Sequence, residues 1–245
     1  MFESTRRLRL SRSDRQSEAV ISCVPVGDWS SFVESLHPHE WEQLGRARSD
    51  KRRSDFVAGH HAAKLAICAQ LATWLRPSSI LIEPGVFGQP IVRCPESARV
   101  GVSIAHSGGC AVAVAFDVGH PMGIDIELID RKREAALRSQ VVDSEVSLCL
   151  AHRVPTLEMS TYLWCAKEAV GKAMLTGLTV PSSLLEVSSV VADHDGYRIR
   201  FRNLIQYGAR AVRIGNYAVA LGHPRDTELE GFGSTKALVA GVAHA

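Results

Sequence analysis

Two segments constrain this chain most: Gly123-Ile124-Asp125-Ile126-Glu127 and Trp164-Cys165-Ala166-Lys167-Glu168-Ala169-Val170-Gly171-Lys172. The first reads as a β-strand. Apolar residues (Met122, Ile124, Ile126, Leu128) alternate with two carboxylates, so Asp125 and Glu127 leave the same face. The second reads as a helix in which Glu168 and Lys172, four apart, share a side. Each piece alone has an ordinary reading: an Asp-x-Glu on a strand is usually solvated, and a Glu/Lys pair at this spacing is usually a weak surface ion pair. Here the carboxylates lie inside apolar runs, where an unpaired charge is costly. Three carboxylates meeting in space suit Mg²⁺, with Mn²⁺ as the alternative; such an ion takes one or two carboxylates and fills its shell with phosphate oxygens and water. The lysine would face the same phosphates. The chemistry indicated is metal-assisted transfer at a phosphate.

The rest of the chain sets outer limits. Its 245 residues suffice for one large domain or two small ones. A net charge of +2 makes no general case for nucleic acid or membrane. Cysteines at 23, 68, 94, 110, 149 and 165 form no Cys-x-x-Cys and no zinc spacing, which fits reduced thiols and a cytoplasmic setting. No apolar run approaches the ~20 residues of a membrane span.

In chain order, residues 1–18 read as a disordered basic tail, carrying Arg6, Arg7, Arg9, Arg12 and Arg15. A strand follows over Ala19 to Val26, then short helices broken near Pro38. A long helix is predicted from about Asp50 to Leu75, with Pro77 stopping it. The basic run Arg46 to Arg53 at its start is taken first as a solvated helix entry, with phosphate binding as the sharper alternative. Strands are expected around Ile80, Ile91, Arg99 to His106 and Cys110 to Asp117, the last two joined by Ser107-Gly108-Gly109. His106 is read as structural or as a phosphate ligand beside glycine N–H groups. The second half opens with Met122 to Ile129. Helical stretches follow, then a long helix from about Thr156 to Leu175 ended by Gly177, then antiparallel strands to Leu221. Residues 224–245 read as a loose tail, with a helical turn or two over Lys236 to Val242. Both halves (19–121 and 122–223) share this outline without a visible residue-level repeat. The predicted class is α+β: two similar subdomains, each a small antiparallel sheet packed on a long helix, with the active site at their interface.

The two opening motifs resemble those of the 4′-phosphopantetheinyl transferase superfamily, a Gly-(Ile/Val)-Asp-(Ile/Val)-Glu strand followed by a (Trp/Phe)-(Ser/Thr/Cys)-x-Lys-Glu-(Ala/Ser)-x-x-Lys helix. The length resembles the long, monomeric type that activates peptide synthetases. Lys51-Arg52-Arg53 with Phe56 and Gly59, the turn Gly88-Gln89-Pro90, and Ser103-Ile104-Ala105-His106-Ser107 resemble further family segments. The resemblance implies transfer of the phosphopantetheine arm of coenzyme A (CoA) to a serine of an apo acyl or peptidyl carrier protein, releasing adenosine 3′,5′-bisphosphate. It implies that Asp125, Glu127 and Glu168 hold Mg²⁺ and that Lys172 steadies the phosphates; the serine proton would go to Glu168 or to a metal-bound water, and Glu168 is the base expected here. Arg52, His60, Gly88, Gln89, Pro90, Ser103, His106, Ser107, Lys167 and Lys172 would meet CoA. Two positions depart from the pattern: His60 stands for an arginine and Gln89 for a lysine. The expected consequences are weaker or more pH-sensitive CoA binding, with His61 and Lys64 as candidates to compensate. Two competing readings are a non-catalytic module that binds CoA or a carrier protein, and a metal-dependent nuclease. The nuclease is disfavoured because the lysine follows Glu168 on a helix and no basic face appears.

Overall fold

A computed structural model describes residues 5–94, 99–152, 154–176, 181–236 and 239. The fold is α+β. In the first half, β1 (Thr5–Ser11), β2 (Gln16–Pro25), β5 (Val100–Ser107) and β6 (Cys110–Asp117) form an antiparallel sheet completed by β12 (Glu228–Glu230), in the order β12-β1-β2-β6-β5. The hairpin β3 (Leu81–Pro84) and β4 (Pro90–Arg93) stands apart. The second sheet runs β7-β11-β10-β9-β8, from β7 (Gly123–Leu128), β8 (Val187–Ala192), β9 (Tyr197–Phe201), β10 (Tyr207–Ile214) and β11 (Tyr217–Pro224).

The helices complete four layers. Between the sheets lies an apolar core from Leu8, Ile21, Val112, Val114, Ile124, Ile126, Val219 and Leu221. On the outer face of the first sheet lies α2 (Asp50–Leu71), preceded by α1 (Pro38–Gly45). On the outer face of the second lies α5 (Thr156–Ala173), preceded by α3 (Glu134–Arg138) and α4 (Asp143–Ala151). Both helix–sheet contacts are built from alanines: Ala58, Ala62, Ala63 and Ala66 on Ala111, Ala113 and Ala115, and Ala166 and Ala169 on Ala218 and Ala220. Small side chains let backbone approach backbone. The approach is closest at the register partners Gly123 and Gly222. A Cβ on Gly222 would stand 2.7 Å from Ala169 O and Val170 N, and one on Gly123 would strike Ala169 O and Ala173 N. These are backbone atoms, so the helix itself must move. Gly222→Ala is expected to cost about 1–3 kcal/mol in a denaturant melt, as overpacking does.

The likeness of the halves extends to a buried device. Glu40, the third residue of α1, caps that helix by accepting from His37 N (2.8 Å). It also accepts from Ile82 N on β3 (2.8 Å) and binds Lys64 Nζ of α2 (2.6 Å). Glu145, the third residue of α4, accepts from Val142 N (2.9 Å), from Val187 N on β8 (2.7 Å), and binds Lys167 Nζ of α5 (2.8 Å). All four side chains are buried. In each half the short helix, the long helix and the first strand of a hairpin are tied to one carboxylate. The strand orders correspond as well, β2-β6-β5 to β7-β11-β10.

The described residues of both predicted tails include strands. Residues 5–11 form β1 because Leu8 and Leu10 point inward while Arg9 points to water, and Arg7 pairs with Glu18 (2.6 Å). In the C-terminal segment β12 pairs with β1 (Leu10↔Leu229), and Phe232 and Val239 are buried in the inter-sheet core. The helical turn expected over Lys236 to Val242 lies mostly outside the described residues, as does Gly177. The long helix of the first half ends at Leu71, with Ala72 left-handed (φ 50°); Pro77 opens a later 3₁₀ turn instead of stopping it.

Where the C-terminal segment crosses the second sheet, two histidines are buried. His120 Nε2 meets Thr227 Oγ1 (3.0 Å), and His223 Nδ1 meets Pro224 O (2.8 Å). Burial, with nearby arginines, lowers each pKa to about 4. In the unfolded chain both take up a proton near pH 6.5. The neutral forms therefore favour the fold: this stability is full above about pH 6.5 and is lost as pH falls toward about 4. Melts between pH 7 and 4.5 should show a falling midpoint, with the slope reduced in His120→Gln.

Candidate active site

Strand β7 and helix α5 bring the motif residues together. Lys172 Nζ donates to Asp125 Oδ1 (2.7 Å) and Ile124 O (3.2 Å). Asp125 is 6% exposed, and its other oxygen, Oδ2, is buried without a hydrogen-bond partner among the described residues. Burial raises the Asp125 pKa, against the pull of Lys172. Glu168 has no hydrogen bond or ion pair to its side chain among the described residues. Burial first, then the charges of Asp125 and Glu127, push its pKa up to about 7, with Lys172 opposing. For Lys172 itself burial pulls downward, but the charge and hydrogen bond of Asp125, with the charge of Glu168, carry it above its ordinary value.

Glu127 is held differently. Arg133 donates to both of its oxygens, Nη2 to Oε1 at 3.0 Å and Nη1 to Oε2 in a very short contact. Ser107 Oγ donates to Oε2 (2.9 Å) and Trp164 Nε1 to Oε1 (3.3 Å). Ser107 Oγ accepts from Leu128 N (3.1 Å), and Ser103 Oγ accepts from Ile124 N (3.1 Å), so the two serines pin β5 to β7. Among the described residues no three acidic, histidine or cysteine side chains stand gathered as a ready metal site. The donor set nonetheless fits a hard divalent cation. Asp125 Oδ2 is an unpartnered buried oxygen, and Glu168 is a partly buried carboxylate whose pKa burial raises first and the charges of Asp125 and Glu127 raise further.

Beside these residues lie three adjoining cavities. A cleft of about 550 Å³ is lined by Lys51, Asp55, His106, Ser107, Glu127 and Arg133. The next, about 270 Å³, shares Asp55 and His106 with it and adds Phe56, His60, Gly88 and Pro90. The third, about 190 Å³, shares Gly88, Pro90 and Ile104 with the second and adds Gln89, Ser103 and Lys172. Elements of both halves thus form one continuous trough of the size that small ligands occupy.

Two expected CoA contacts fall outside it. Lys167 is buried in the Glu145 pair and lines none of the three cavities. Its motif position was visible; its inward direction depends on Glu145, a partner that spacing does not reveal. Arg52 is exposed in the first turn of α2 and lines none of the three cavities; Lys51, its neighbour, lines the cleft and pairs with Asp55 (2.7 Å). The two residues expected to compensate for His60 are engaged elsewhere. Lys64 is spent on Glu40, and His61 stacks on Phe32 with ring centroids 4.3 Å apart. His60 packs on Phe56 (3.9 Å), and burial lowers its pKa. Its neutral form is therefore favoured. Gln89 accepts from Phe87 N (2.9 Å) and folds over its own turn, where Gly88 takes a positive φ of 76°. Arg133 and Asp55 were missed. Asp55 was legible as a carboxylate one helical turn after Lys51; Arg133 ends the 3₁₀ turn Arg131–Arg133 after β7, in a stretch read only as helical.

Residues 121–222 match the sequence model of the 4′-phosphopantetheinyl transferase superfamily. Over 156 residues the chain is 33% identical to 4′-phosphopantetheinyl transferase Npt of Nocardia iowensis, a match spanning 61% of this chain and 64% of that protein. Similar solved structures include a holo-(acyl-carrier-protein) synthase from Bacillus anthracis in complex with CoA (3′,5′-ADP), 24% identical, with a TM-score of 0.37, covering 39% of this chain and 90% of that one. Another is the holo-ACP-synthase of Plasmodium yoelii, 17% identical, with a TM-score of 0.35, covering 46% and 96%.

Proposed function

We propose that this chain, whose residues 121–222 belong to the 4′-phosphopantetheinyl transferase superfamily, transfers the 4′-phosphopantetheine arm of CoA to a serine of an apo acyl or peptidyl carrier protein. The observation that carries this is the trough: Lys172 lines it beside the β3–β4 turn, and Glu127 lines it beside His106 and Ser107, so residues of the β7 and α5 motifs border it at both ends. Asp125 and Glu168, joined by Glu127 when Arg133 releases it, would hold Mg²⁺ or Mn²⁺. Such an ion supplies charge neutralisation on the pyrophosphate. Lys172, poised between Asp125 and Glu168, would stabilise charge on the phosphates. His106, Lys51 and the N–H groups of Gly108 and Gly109 would receive an anionic end of CoA. Glu168 would also accept the serine proton as general base. The protein would act as a monomer, in the cytoplasm, its two halves enclosing one site.

The test is an intact mass spectrum of an apo carrier protein incubated with this protein, CoA and Mg²⁺. The expected result is a gain of one phosphopantetheine arm, lost with EDTA. No gain on fatty-acid, polyketide or peptide-synthetase carriers, with CoA binding retained, would instead favour the non-catalytic binding module. The Arg133–Glu127 clamp and the folded-back Gln89 would be its structural basis. Because His60 stays neutral, its ring should leave the KM for CoA flat between pH 6 and 8; His60→Asn is expected to leave that profile unchanged.

A further inference from the structure

A second cavity, of about 510 Å³, shares no lining residue with the trough. It lies between β9 and β10 on one side and the segment after β11, which includes β12, on the other. Strand alternation sets its chemistry. Ile199, Ala209 and Ala211 turn toward α5, so Arg198, Arg200 and Arg210 turn the other way, into the cavity. Arg225 approaches from the segment after β11. That segment lies beyond residue 222, where the family match stops.

The charges here are only partly answered. Asp193 takes Arg210 through both its oxygens (2.9 and 2.7 Å) and reaches Arg198 at 3.6 Å. Arg200 donates to the backbone oxygen of Arg225 (2.8 Å). Neither Arg200 nor Arg225 has a carboxylate at ion-pair distance among the described residues. Asp226, Glu228 and Glu230 also line the cavity and are exposed to water. His223, 4% exposed, lines the same space, and its Nε2 is buried with no hydrogen-bond partner among the described residues. Two guanidinium groups with no carboxylate at ion-pair distance among the described residues therefore border a single concave space, with Asp226 acting on Arg200 from farther off. Gly208, register partner of Arg200, leaves room beside that guanidinium. Planar guanidinium forks suit a phosphate better than a point cation does.

We propose that this cavity binds a small phosphate-bearing anion, held by Arg200 and Arg225. The proposal stands independently of the transfer reaction. The probes are inorganic phosphate and a phosphate monoester, glucose 6-phosphate, titrated against the full chain by calorimetry and by thermal melts, with KCl at matched ionic strength. The wild type should show saturable binding and a raised melting midpoint that KCl does not reproduce. Arg225→Gln, at an exposed position, and Arg200→Gln should each weaken that binding at least about tenfold, as loss of a charge-assisted pair does. Melts without ligand establish that each variant folds. Lys51→Ala, in the trough, should leave it unchanged. Tighter binding of the monoester would assign the site to a phosphorylated metabolite, and equal binding to the free ion. Retained affinity in both arginine variants, loss in Lys51→Ala, or an equal effect of KCl would overturn the proposal.

Discussion

Asp125→Asn should lower the rate of holo-carrier formation by about 10²–10³-fold, the range seen when one preorganised electrostatic group is lost. The substitution keeps the shape of the side chain and one oxygen for Lys172. It removes the charge that holds Lys172 and the buried oxygen that fits a cation. Lys172→Met should act in the same direction, leaving Asp125 buried without its cation. The reading is a time course of carrier mass, with CoA affinity measured separately by calorimetry. If these groups act on the reacting phosphates, kcat falls while CoA affinity changes less. Unchanged kcat in Asp125→Asn, in a variant whose circular dichroism matches wild type, would remove the β7/α5 constellation from the mechanism.

Where sequence reasoning succeeded and failed follows from the range of the interactions. Period-2 and period-3.6 patterns are local, so β5, β6, β7 and the two long helices were legible, as were the hairpin at Ser107-Gly108-Gly109 and the shared face of Asp125 and Glu127. In residues 5–11 the same alternation was present, Leu8 and Leu10 between arginines, but charge density outweighed it as evidence. The partner that makes this segment an inner strand is β2, and the strand that covers its other edge is β12, more than two hundred residues away. No local pattern announces such a pairing. At the site, Ser103, His106, Ser107, Gly88 and Lys172 could be placed because they sit in or beside recognisable turns and motifs. Lys167 could not be placed, because spacing gives a helical face but not which nearby carboxylate turns a long side chain inward.

That last point yields the second large effect. Lys167→Met leaves Glu145 buried, charged and without its cation, and Lys64→Met does the same to Glu40. Removing one partner of a buried pair costs about 3–5 kcal/mol, because the remaining charge stays desolvated. Each single variant should therefore unfold at clearly lower denaturant concentration. The paired variants, Glu145→Gln with Lys167→Met and Glu40→Gln with Lys64→Met, should lose much less than the sum of their singles. Glutamine keeps an oxygen for Val187 N or Ile82 N and leaves no charge behind. Lys167 makes the comparison informative about function as well. A lysine that met CoA would show its loss as a raised KM for CoA at nearly unchanged stability. A lysine that anchors α4 to α5 would show the reverse, and the Glu145→Gln/Lys167→Met pair would recover stability with an ordinary KM. Equal stabilities for Lys167→Met and wild type would mean that the buried pair contributes nothing, and that the matching Glu40–Lys64 pair is a likeness of form without a shared role in holding each half together.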